Sequence, residues 1–237
     1  MWFDQHRYEL RCEWGARGVE VLAPHVDALI IVDVLSFSTC VDIAVARGAV
    51  VYPYHWKDDR AEAFTKSVGG VLAAARSRTH VSLSPASLRK VRRGTRIVLP
   101  SPNGAELSHL TGDTPTLTGC LRNAAAVARR ARSFGTRIGV VPAGERWPDG
   151  TLRPSVEDWL GAGAILASLD GSCSPETELA RIAFASQQAN IAAVLRGCAS
   201  GRELVERGWP EDVELASELS VSECAPILRD GAYGTWD

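Results

Sequence analysis

Residues 28–35 read Ala-Leu-Ile-Ile-Val-Asp-Val-Leu, a nearly continuous apolar run broken only by Asp33. A strand with one face in water alternates polar and apolar residues, whereas a strand covered on both faces stays apolar. The run therefore predicts a strand inside an α/β sheet, with Asp33 near its carboxyl end. That end is where α/β proteins place ligands. A carboxylate there is costly to bury unless it is paired or bound to a cation. Asp33 is either an acid that handles a ligand or one satisfied by nearby backbone N–H groups. The run alone leaves both open.

Working outward, Ser38 or Thr39 could cap a helix through Cys40, Val41, Ile43, Ala44 and Val45 that ends at Gly48. Residues 49–54 read as a second strand, and residues 58–68 as a second helix closed by Gly69-Gly70. A strand at 96–99 leads into the turn Pro100-Ser101-Pro102-Asn103-Gly104 and a helix at 105–110. Residues 114–118 follow as a strand, 123–133 as an Ala/Arg-rich helix, and 137–141 as a strand entering a loop at 142–154. This alternation predicts a layered α/β sheet. Beyond it, residues 155–169, 175–196, 201–207 and 211–219 all read as helical, so the C-terminal part is helix-rich. Ser155 followed by Asp158 suits an N-cap with an acidic first turn. With no repeat, low-complexity tract or linker, residues 1–237 read as one domain, or as two interleaved subdomains (about 1–150 and 151–237) sharing a core.

Of the 237 residues, 46% are hydrophobic and 23% charged, a balance that excludes disordered, collagenous and coiled-coil chains. The net charge of -2 argues against a general nucleic-acid binder, which needs a basic face. Six scattered cysteines form no C-x-x-C pair, so no zinc ribbon or thioredoxin motif is present. Residues 1–10 have no apolar core of a signal peptide, and no stretch approaches the ~20 apolar residues of a membrane span. The expectation is a cytoplasmic protein with reduced thiols and neither nucleic acid nor membrane as a partner.

Several chemistries lack their motif. There is no Walker-type phosphate loop, no G-x-S-x-G elbow and no H-E-x-x-H. Gly161-Ala162-Gly163 begins a dinucleotide-like pattern, but the sixth position is Leu166 and no strand leads into it. Three other groups remain. The turn at Asn103-Gly104 lies between a strand and a helix, where backbone N–H groups can face an anion. The segment Gly144-Glu145-Arg146 precedes Ser155-Val156-Glu157-Asp158. Adjacent acids point about 100° apart on a helix, so Glu157 and Asp158 reach one pocket only near its start. Such a pair suits a hard cation such as magnesium, or it is an acidic first turn favoured by the helix dipole. Spacing alone does not separate the two. The third group, Arg229-Asp230-Gly231, reads by itself as a surface turn.

Taken in order, these segments resemble the 2-phosphosulfolactate phosphatase (ComB-like) family. The matching pieces are Ile31-Val32-Asp33-Val34-Leu35 with Ser38-Thr39, Asn103-Gly104, Leu121-Arg122-Asn123-Ala124, Ala143-Gly144, and Glu157-Asp158-Trp159-Leu160-Gly161-Ala162-Gly163-Ala164. The tail adds Ser200-Gly201-Arg202-Glu203-Leu204, Gly208-Trp209-Pro210-Glu211-Asp212-Val213 and Ala225-Pro226-Ile227-Leu228-Arg229-Asp230-Gly231. The resemblance implies an α/β fold with helices on both sides of a mixed sheet. It also implies a magnesium-dependent phosphomonoesterase acting on 2-phospho-3-sulfolactate, a step towards coenzyme M. On that reading Asp33, Glu157, Asp158 and Arg229 are catalytic. Magnesium rests on Asp33, Glu157 and Asp230, and Arg122 is a second phosphate donor. Ser38, Thr39, Asn103, Gly104, Asn123 and Gly144 complete the contacts to a small anionic phosphoester. The attacking group is a metal-bound water or a carboxylate, and the assembly this reading allows is a homodimer.

The chain also departs from the family pattern. Ser36-Phe37 stand where the family usually has Arg-Ala, Ala74-Ala75 where it has Gly-Glu, and Leu83-Ser84-Pro85 where it has Asn-Ser-Pro. One Arg, one carboxylate and one amide are thereby missing. This keeps a rival in view, an anion-binding homologue without turnover or with a different substrate.

Overall fold

The computed structural model describes residues 2–55 and 59–236. The chain begins with β1 (Leu10–Cys12), α1 (Gly15–Leu22), β2 (Ala28–Val32), α2 (Phe37–Ala46), β3 (Val50–Tyr54) and α3 (Asp59–Ser67). The expected start of that last helix, Asp58, lies outside the described residues. Next come β4 (Val71–Leu72), α4 (Pro85–Leu88), β5 (Arg96–Pro100), α5 (Gly104–Ser108), β6 (Thr116–Gly119), α6 (Ala124–Arg132) and β7 (Ile138–Pro142). The expected loop at 142–154 holds a small hairpin, β8 (Glu145–Arg146) with β9 (Leu152–Arg153). The helix-rich part is α7 (Val156–Ala167), α8 (Pro175–Gln187), α9 (Ile191–Gly197), α10 (Ala199–Glu206) and α11 (Pro210–Ser217). A final hairpin, β10 (Ile227–Arg229) with β11 (Ala232–Gly234), ends the described fold.

The result is α/β with one nine-stranded mixed sheet in the order β1-β7-β2-β6-β10-β11-β3-β5-β4. Two parallel blocks, β1-β7-β2-β6 and β3-β5-β4, flank the hairpin, which pairs antiparallel with β6 on one side and β3 on the other. The apolar run of β2 is explained by cover on both faces. Ala28, Ile30 and Val32 pack with residues of α6, α7 and α8, while Leu29 and Ile31 pack with Val19, Leu22 and Leu107. This is the period-2 division of a strand between two layers.

Three local expectations change. Neither Ser38 nor Thr39 caps α2, because the helix already begins at Phe37 and Asp33 Oδ1 accepts from the Phe37 N–H at 3.1 Å. Ser155 holds the N-cap position of α7 in extended conformation, but its hydroxyl is buried and makes no hydrogen bond. The helix expected over 175–196 breaks at a 3-10 turn, Gln188–Asn190, which redirects α9 so that Ile191 and Leu195 enter the core. No described helix is long and apolar enough to cross a membrane. None of the six cysteines is in a disulfide.

Candidate active site

Asp33 lies one residue past β2 and is 4% exposed. Its Oδ1 accepts from Phe37 N, and its Oδ2 from Gly104 N at 2.8 Å. The Asp33 N–H donates to Ser38 Oγ at 2.9 Å. Glycine is required at position 104, because a Cβ there would stand 2.4 Å from Phe37 Cδ1 and 2.9 Å from Asp33 Oδ2. Residues 101–103 carry the chain from β5 to this contact, so two separate parallel blocks meet at one carboxylate.

Asp158 comes from the first turn of α7. Its Oδ1 accepts from Val34 N at 2.7 Å and its Oδ2 from Gly144 N at 2.9 Å. The Gly144 φ of +69° suits glycine, and a Cβ there would come within 2.9 Å of the Arg153 carbonyl oxygen. Glu157, beside Asp158, is 2% exposed and acts electrostatically on Asp33, Asp158 and Glu145. Glu145, on β8, accepts from Asn103 Nδ2 at 3.0 Å through Oε2. Four carboxylates thus share one region, three of them buried and Glu145 half-buried.

Burial raises the Asp33 carboxyl above its usual range, opposed by the Gly104 and Phe37 N–H bonds, and the Glu157 charge adds to the rise. Burial followed by the Asp33 and Glu157 charges pushes Asp158 well above its ordinary value. Burial and Asp33 push Glu145 up to about 7, against the Asn103 hydrogen bond. Two guanidinium groups act in the opposite sense, Arg76 on Asp33 and Arg153 on Glu145. Such a cluster carries excess negative charge at neutral pH unless it holds protons or a cation.

Asp33, Glu157 and Asp158 therefore converge, with Gly104, Gly144 and Asn103 holding the acids in place. Ser38 and Thr39 belong to the scaffold. Ser38 Oγ bonds Thr118 Oγ1 at 2.7 Å, and Thr39 Oγ1 donates to the Val34 carbonyl at 2.7 Å. The Gly104 N–H expected to face an anion is instead given to Asp33. Asn123 stabilises the turn into α6 by accepting from Cys120 N at 2.8 Å, and its Nδ2 is buried without a partner.

Arg122 is committed elsewhere. It bonds Asp42 Oδ2 at 3.0 Å, the Leu215 carbonyl at 3.2 Å and the Glu218 carboxylate, so it ties α2 to the end of α11. Arg229 and Asp230 also fall outside the cluster. Leu228 pairs with Thr116, which pairs with Leu29, so Arg229 stands level with Ala28. Asp33 is five residues further along, about 17 Å of strand. Both residues are exposed at the β10–β11 turn. The expected ligand trio of Asp33, Glu157 and Asp230 is thus not assembled. Among the described residues no group of three His, Cys, Asp or Glu side chains is arranged to hold a metal ion.

Arg76, from the segment before α4, and Arg153, on β9, carried no usable signal; Asp212, which stands in the resembling tail, enters through its bond to Arg76. Glu145 stood in a segment marked by its neighbours Gly144 and Arg146, but only the fold shows that it turns inward.

An α/β sheet with a buried acid cluster past a parallel strand, and two guanidinium groups acting on it, is an arrangement suited to an enzyme. Residues 20–231 match the 2-phosphosulpholactate phosphatase family profile. A 2-phosphosulfolactate phosphatase of Methanothermobacter thermautotrophicus is 30% identical over 207 residues, covering 85% of this chain and 87% of that protein. The chain belongs to the 2-phosphosulfolactate phosphatase family and is a phosphoric monoester hydrolase.

Proposed function

We propose that the chain hydrolyses 2-phospho-3-sulfolactate to 3-sulfolactate and phosphate, and that it does so with magnesium. The observation that carries this reading is the group of buried Asp33, Glu157 and Asp158 with half-buried Glu145, whose negative charge exceeds that of the nearby Arg76 and Arg153. The donor set fits magnesium, which takes oxygen ligands, uses one or two carboxylates and keeps waters. Glu157 and Asp33 are the residues to hold it, with Asp158 beside them; each oxygen of Asp33 and of Asp158 accepts one backbone N–H and keeps a second lone pair. When bound, magnesium supplies Lewis-acid stabilisation of phosphoryl oxygen charge.

The chain's own residues do the rest. Asp33 is clamped by two N–H groups, which favours water over this carboxylate as the attacking group. Glu145 keeps Oε1 free while Asn103 holds Oε2, so Oε1 can carry the proton that the departing alkoxide needs. Glu145 borders a cavity of about 80 Å³ with Asn103 and Leu152.

Phosphate release from a panel of phosphomonoesters, with magnesium or with a chelator, tests the reading. The expected result is fastest turnover of 2-phospho-3-sulfolactate and loss of turnover with chelator. Turnover of a different ester alone overturns the substrate, and full activity in chelator overturns the metal. Anion binding with no turnover of any ester would favour the non-catalytic rival raised by Ser36, Ala75 and Leu83.

A further inference from the structure

We infer that Arg76 is the cation that grips the substrate's phosphoryl group, and that Asp212 is the residue that aims it. The inference rests on the phosphatase reading and names a binding group that the acid cluster does not itself supply.

Arg76 lies in the segment between β4 and α4, Ser36 in the link from β2 to α2, and Asp212 in the first turn of α11. The guanidinium joins all three. Its Nη1 donates to Asp212 Oδ2 at 2.6 Å, and its Nη2 to Ser36 Oγ at 2.9 Å. Asp212 is 1% exposed, and its other oxygen accepts from Ser84 Oγ at 2.6 Å and Ala86 N at 3.3 Å. A buried carboxylate held from three directions has little freedom, and so the guanidinium it grips is fixed in direction as well as position.

Only part of that guanidinium is used. Arginine has five N–H donors, and two are spent on Asp212 and Ser36. The side chain is 19% exposed, so it is not sealed in the core as Asp212 is. Its charge acts on the Asp33 carboxylate three residues before Ser36. A fixed, partly open guanidinium can bind two phosphoryl oxygens at once.

The charge balance calls for such a group. A phosphoester dianion approaching four carboxylates meets repulsion unless a cation faces it. Arg122 and Arg229 lie elsewhere, and Arg153 is drawn aside to Ser200 Oγ at 3.1 Å and over the Trp147 ring. Arg76 is the guanidinium acting on Asp33.

The test uses the full chain as wild type, Arg76→Ala, Arg76→Lys and Asp212→Asn, with melting curves to establish folding. Calorimetry with inorganic phosphate reads binding, and steady-state kinetics read KM and kcat. Removing charge-assisted hydrogen bonds should weaken phosphate binding roughly 10- to 100-fold in Arg76→Ala. Arg76→Lys should stay weak because the fork is lost. Added guanidinium salt should restore part of the affinity to Arg76→Ala, which a merely structural role would not allow. Asp212→Asn should raise KM more than it lowers kcat.

Wild-type phosphate affinity and KM in a folded Arg76→Ala would overturn the inference. Should Arg76→Ala fail to fold, unchanged affinity in both Arg76→Lys and Asp212→Asn overturns it instead. If no phosphomonoester is turned over while phosphate binding still depends on Arg76, the phosphatase reading falls and the inference stands. If turnover is normal and indifferent to Arg76, the reverse holds.

Discussion

Asp33 shows how closely function and fold are tied at single residues. Each carboxylate oxygen accepts one backbone N–H, from Phe37 and from Gly104. Asp33→Asn would keep the shape but turn an NH₂ towards one of those donors, leaving a buried N–H unsatisfied. The exchange is nearly isosteric and by shape alone would leave the fold intact. The structure instead predicts a destabilisation of about 1–3 kcal/mol, read by denaturant titration. Gly104→Ala is the matching test from the other side, since its Cβ would run into Phe37 and Asp33. Overpacking of that kind should cost about 1–3 kcal/mol. A melting temperature unchanged in both variants would contradict the geometry.

The C-terminal hairpin shows what an element contributes that its residues do not announce. Asp230 and Gly231 both have positive φ, +50° and +75°, the signature of a type I′ turn between antiparallel strands. The turn itself was legible in the sequence, but its strands are only three residues each and carry no periodicity. The pairing that inserts them between two parallel blocks is non-local. β1 escaped notice for the same reason, being three residues with Arg11 at its centre. The break between α8 and α9 has no proline or glycine to mark it and follows from where Ile191 and Leu195 find apolar neighbours. Because the β10–β11 turn is about 17 Å of strand from Asp33, Arg229→Lys should leave KM and kcat within experimental error. A rise in KM of tenfold or more would return the tail to the active site.

Across the whole molecule, the acids of the site were more legible than its cations. Asp33 interrupted an apolar strand, and Glu157-Asp158 opened a helix, so both stood out against their surroundings. Arg76 and Asp212 are 136 residues apart, and nothing local to either records that they meet. The same cluster makes stability depend on pH. Glu145 titrates near 7 in the folded chain against an ordinary value of 4.5, and Asp33 and Asp158 are also raised, all chiefly by burial. The folded state therefore binds more protons than the unfolded one between these values. Stability is fully present below the unfolded carboxylate range and is lost as pH rises through about 7. Glu145 alone should contribute on the order of 2–3 kcal/mol to that loss. In chelator, wild type should unfold more easily at pH 8 than at pH 5, and Glu145→Gln should flatten the difference. Magnesium should recover stability mainly at the higher pH. A slope of opposite sign in wild type would contradict the buried cluster.

The central claim is that this cluster performs the hydrolysis, and Glu157 is its most exacting test, because its buried carboxylate meets the Cys198 thiol and, among the described residues, is given no backbone N–H. The measurement is the rate of phosphate release from 2-phospho-3-sulfolactate by wild type and Glu157→Gln, side by side in magnesium. The expected result is release by wild type and a loss of roughly 100-fold or more in the variant, with melting temperature little changed. Equal rates in the two proteins would contradict the claim.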